Sequence, residues 1–142
     1  MKRPLLLALS SLAVMAASSA VAEVSARLNL TVEVAAETGQ VMIVLYDSEA
    51  AFDEGGEPVR ALRLDVAAGE RQVSVEGLKP GTYGFKAFHD VNGNGKMDLN
   101  PFGMPIEPYG FSNNAVGNMG PAKWDRARFE VEGVAAQTLI LK

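Results

Sequence analysis

The sequence predicts an all-β protein: a single antiparallel β-sandwich of about seven strands, carrying one long ordered loop. Three observations predict it. Apolar residues recur with a period of two rather than 3.6 in nearly every apolar segment, turn-forming residues separate those segments, and only one short stretch reads as helix. Ribbons that are apolar on one face are buried most simply as two stacked sheets.

The elements follow in chain order. Met1-Lys2-Arg3 gives a positive start, Leu5 to Ala17 is apolar apart from Ser10 and Ser11, and Ala20-Val21-Ala22 offers small residues at a cleavage point. Residues 1–22 are therefore expected to be a signal peptide, and residues 23–142 one exported domain, periplasmic or secreted. The apolar run is shorter than the roughly 20 residues a spanning helix needs and no second one follows, so the mature form has no expected membrane span. Leu28, Leu30, Val32 and Val34 then alternate with polar residues as the first strand. Val41 to Tyr46 is continuously apolar, as expected of a central strand covered on both sides or of one with a hydrophobic outer face. Asp47 to Asp53 is the helix candidate, with Ser48 as its cap. Leu62, Leu64 and Val66, then Val73 and Val75, read as half-wet edge strands. Tyr83, Phe85 and Ala87 make a further strand, Ala127, Phe129 and Val131 another, and Leu139 and Leu141 the last. Turn signals fall at Glu37 to Gly39, Gly55-Gly56, Ala68 to Glu70, Lys79 to Gly81 and Glu132-Gly133.

Composition narrows the chemistry. Without Lys2 and Arg3, 11 basic residues face 17 acidic ones, a net charge of −6 that disfavours nucleic acid as a partner. The chain has no cysteine and a single histidine, which removes thiol chemistry, lipid attachment after the leader, and most histidine-based catalytic or zinc constellations.

Residues 90–123 interrupt the strand pattern with a stretch rich in Gly, Asn and Pro. Phe102, Met104, Ile106, Tyr109, Phe111 and Trp124 give it more apolar area than a solvated tail would hold, so it reads as an ordered loop. It opens Asp90-Val91-Asn92-Gly93-Asn94-Gly95-Lys96-Met97-Asp98, matching the D-x-N-x-N-G-x-x-D start of an EF-hand-type calcium loop. Asp90, Asn92 and Asn94 would offer side-chain oxygens, Lys96 its carbonyl, and Asp98 a carboxylate, directly or through water. Oxygen-only donors select a hard cation, calcium before magnesium. Pro101 stands where the closing Glu belongs; Asn100 and Glu107 are the nearest candidates to fold back in its place, and Glu107 is preferred because it adds a third negative charge to Asp90 and Asp98. So small a donor set implies dissociation constants on the order of 10⁻⁴ to 10⁻³ M. A metal-free reading uses the same letters, because Asn-Gly pairs and a strand-end Asp also make tight turns.

Gly77-Leu78-Lys79-Pro80-Gly81-Thr82-Tyr83, a strand, and then Asp90 to Asp98 resemble the L-x-P-G-x-Y-strand-D-x-N-x-N-G signature of prealbumin-like sandwich domains. Asn100 to Asn114 is similar to a second signature of the DUF2141 proteins, an uncharacterised bacterial family. The resemblance covers about Arg27 to Lys142. It implies an exported prealbumin-like or Ig-like sandwich and assigns no activity.

Tyr83 is expected to return its hydroxyl to the Pro80-Gly81 turn, like a tyrosine corner. His89 shares the parity of Tyr83, Phe85 and Ala87, so it should lie in the inward row, across the sheet from Asp90. Phe102, Tyr109, Phe111 and Trp124 either cap one end of the sandwich or, with Tyr109 and Trp124 exposed beside Asn113 and Asn114, bind a ligand. The functional expectation is a noncatalytic binding or envelope-accessory module whose calcium-ordered loop recognises a glycan, a peptide or an envelope protein. The alternatives are a carbohydrate-active enzyme using Asp98 and Glu107, and a structural subunit that adds strands through the edge at Val73 to Glu76.

Overall fold

A computed structural model describes residues 22–142. The leader expected over residues 1–22 lies, apart from Ala22, outside the described residues, among which no helix is long and apolar enough to cross a membrane. The elements are β1 (Ala26–Val34), β2 (Gln40–Tyr46), α1 (Glu49–Glu54), β3 (Arg60–Asp65), β4 (Gln72–Leu78), β5 (Gly81–Asp90), β6 (Tyr109–Phe111), α2 (Trp124–Ala127), β7 (Phe129–Val131) and β8 (Val134–Leu141), with a 3-10 turn at Ser112–Asn114. One sheet runs β4-β1-β8 and the other β3-β2-β5-β6, with β7 added to the start of β5.

The sandwich is as the alternation predicts. Leu28, Leu30 and Val32 of β1 face Val41, Ile43 and Leu45 of β2 and Tyr83, Phe85 and Ala87 of β5 in one core. Ser48 caps α1 by accepting the Ala51 N–H at 3.4 Å, and Gly55 ends it at φ 74°. The Tyr83 hydroxyl donates to the Lys79 carbonyl at 2.7 Å, closing the expected corner.

Three features depart from the expectation. All strand pairs are antiparallel except β1 with β8, which run parallel from Arg27↔Val134 to Val34↔Leu141. The Glu132-Gly133 turn carries the chain from β7 in one sheet to the other, so β8 enters beside the start of β1, where the Arg27 N–H donates to the Gly133 carbonyl at 2.7 Å. An eighth strand, β6, lies inside the long loop; three residues are too few for period two to show. Ala127 closes the single turn of α2 instead of opening a strand, because its methyl group packs with Phe52 and Trp124.

Candidate functional site

Side chains of even number on β2 and β5 point away from the core, and this outer face of the larger sheet is covered in three different ways. At the α1 end, Tyr46, Phe52, Phe111, Ala122, Trp124 and Ala127 form a second apolar cluster. Gly84 admits it: a Cβ there would meet Trp124 at 3.0 Å and Phe52 at 3.2 Å. The Lys86 ammonium lies 4.6 Å from the Phe52 ring centroid and donates to the Phe52 carbonyl. Burial pulls its pKa below that of a free lysine; Asp53 opposes that fall and Lys123 adds to it.

At the opposite end, the residues with calcium-loop spacing form a knot of hydrogen bonds. Asp90 is fully buried, and its carboxylate accepts from Gln40 Nε2 at 2.8 Å, the Asn94 N–H at 3.1 Å and the Gly95 N–H at 2.8 Å. Burial raises its pKa, but these bonds, with a contribution from Gly93, outweigh burial and hold it below the usual aspartate value. Asn92 and Asn94 each accept a backbone N–H two residues on, at 3.1 and 2.9 Å, and donate their amide hydrogens to the two oxygens of Asp98 at 2.6 and 2.9 Å. Lys96 is exposed, and its N–H is the one that Asn94 accepts.

Glu107 folds back against the loop. Its carboxylate accepts the Val91 N–H at 2.9 Å and the Asp98 N–H at 3.0 Å, bracing both ends of the loop. A buried carboxylate next to two unpaired amides satisfies them before it seeks a distant ion. The knot closes on its own donors. Among the described residues no three His, Cys, Asp or Glu side chains are grouped to hold a metal ion. The oxygen-only donors still suit a hard cation, provided the amide hydrogens now on Asp98 are displaced.

Between the two ends lies an apolar groove of about 810 Å³. Met42, Val44 and Phe88 form its floor, Tyr109 and Phe111 one side, and Met97, Met104, Pro105, Met119 and Pro121 its loop walls. The Asp90 knot positions the first of these walls. From Asp98 the chain turns through a small hairpin, closed by Ile106 N–H to the Asp98 carbonyl at 2.9 Å and Asn100 N–H to the Met104 carbonyl at 2.8 Å.

The expected ligand-binding residues divide. Tyr109, 49% exposed, lines the groove. Trp124 is buried in the second cluster, where its ring contributes more than it would in water. Asn113 and Asn114 are committed to β8. The Asn114 amide donates to the Thr138 carbonyl and accepts the Ile140 N–H, both at 2.9 Å, and Asn113 exchanges hydrogen bonds with Gln137 and donates to the Arg126 and Arg128 carbonyls. An edge strand offers backbone groups that need partners, and these amides supply them. Phe111 joins the apolar cluster, whereas Phe102 is 88% exposed and caps nothing. His89 is buried in the inward row, with Nε2 2.7 Å from the Thr38 carbonyl and Nδ1 unpartnered. The sequence reading missed Met42, Val44, Phe88 and Met97; the apolar outer positions of Val41 to Tyr46 were the available signal.

No match to the chain was found among curated proteins or among solved structures. Residues 31–138 match the family model described as "Uncharacterized protein conserved in bacteria (DUF2141)", and on that match the chain belongs to the DUF2141 family.

Proposed function

We propose that this protein is an exported, noncatalytic binding module whose groove takes a small apolar or amphipathic molecule, in the periplasm or outside the cell. The groove carries the reading. Its volume falls in the range of small-molecule sites, about 300–1,000 Å³, and its lining is mostly apolar, with Lys86 and Tyr109 as the side chains that carry polar groups. An apolar groove of this size on the face of a sheet offers a ligand area that water solvates poorly. Noncatalytic action is supported by the commitments of the acidic residues: Asp90, Asp98 and Glu107 all spend their oxygens on amides of the same loop.

Calcium has a supporting part in this proposal. Asp90, Asn92, Asn94 and Asp98 would hold it with the Lys96 carbonyl, leaving Glu107 as the brace, and it would stiffen the wall bearing Met97 and Met104. The test of the groove is binding of a neutral apolar dye such as Nile red, compared with a Met42→Glu variant shown by circular dichroism to be folded. Saturable binding that the charge on the floor weakens at least tenfold supports the groove. Equal binding by both proteins, or by neither, refutes it.

A further inference from the structure

Residues 22–142 contain four methionines, Met42, Met97, Met104 and Met119, and all four line this one groove. Apolar area alone would not gather every thioether of the domain in one place, since leucine fills such space equally well. Thioethers add conformational freedom, polarisability and reactivity toward oxidants. The chain holds no thiol that would react first.

We propose that the groove is oxidant-responsive, with Met104 and Met119 as its reactive rim and hydroperoxides as the oxidant; this rests on the groove being a binding site. Met119 is fully exposed and Met104 is 62% exposed, while Met42 and Met97 are half-buried. A lone pair on the methionine Sδ attacks one oxygen of the hydroperoxide. The S–O bond forms as the O–O bond breaks, sulfur gives up two electrons, and the departing oxygen leaves as water or alcohol after taking a proton. The sulfoxide is a strong hydrogen-bond acceptor placed where a bound apolar ligand offers no donor, so ligand affinity falls. Reduction by methionine sulfoxide reductases restores it.

The experiment is Nile red titration of the purified protein before and after limited hydrogen peroxide, with peptide mapping of the oxidised sites. Met119 and Met104 should gain oxygen before Met42 and Met97, and the dye's dissociation constant should rise about tenfold, a shift of 1.4 kcal/mol. A Met104→Leu/Met119→Leu variant, whatever its own dissociation constant for the dye, should keep that constant unchanged through the same peroxide treatment. Unchanged affinity after full oxidation of the rim overturns the inference and leaves the binding site standing, as does a leucine variant that still responds. Absence of dye binding to the unoxidised protein overturns both.

Discussion

Asp90 shows how one side chain can fix a loop. It sits on the outward face of β5, opposite Gln40 in the register, so the two side chains are paired by the sheet itself. The β1–β2 turn presses on the same place: Gly39, at φ 73°, has no room for a side chain, since a Cβ would lie 2.0 Å from the Asp90 carbonyl. The pH consequence has a definite sign. A folded-state pKa below the ordinary 3.8 means the carboxylate stabilises the fold fully above that value and progressively less as pH falls through the folded value. An Asp90→Asn variant should therefore be less stable than the parent at neutral pH, by about 2–3 kcal/mol, with the gap narrowing below pH 4. Urea unfolding at a series of pH values would show it, and a gap independent of pH would refute it. The spacing of this loop was legible because Asp, Asn and Gly at fixed offsets have few other uses. The bracing by Glu107 was not, because it depends on the loop returning to the strand end, which spacing alone does not record.

Among the elements, β8 owes its position to two kinds of neighbour. On one side it pairs with β1; on the other, where no full strand follows, the Asn114 amide stands in for a strand by bonding the Thr138 carbonyl and the Ile140 N–H. Asn114 does this from φ 48°, a backbone region that asparagine tolerates better than alanine. Asn114→Ala should cost about 1–2 kcal/mol and speed exchange of the Ile140 amide at least tenfold, as read by hydrogen-exchange NMR. Unchanged exchange at Ile140 would show that the clasp is not a partner of the strand. β1, β2 and β5 were readable because their alternation is long; β6 and α2 were not, because three or four residues carry no period and packing decides them. An amide pair on an exposed loop looks the same in sequence whether it awaits a ligand or holds an edge.

Across the whole molecule, the knot, the hairpin wall and the groove form a line on one face of the larger sheet, so an ion bound at the knot would be felt at the groove. Calcium about tenfold above its dissociation constant should stabilise the protein by about 1.4 kcal/mol. Thermal unfolding with calcium, magnesium or chelator should show a calcium-specific rise in midpoint that Asp98→Ala abolishes, accompanied by tighter dye binding. A midpoint indifferent to all three additions removes calcium from the proposal without touching the groove. The sandwich was legible from alternation over most of the chain, but the groove was not, because its methionines come from β2 and from two loops that meet only in three dimensions. The parallel pairing of β1 with β8 has a further consequence for assembly. The middle strand of the smaller sheet finds one of its two neighbours 107 residues further along the chain, from Arg27↔Val134 to Val34↔Leu141, so closing that sheet carries the entropic cost of a long loop, a contact order of the kind that slows folding.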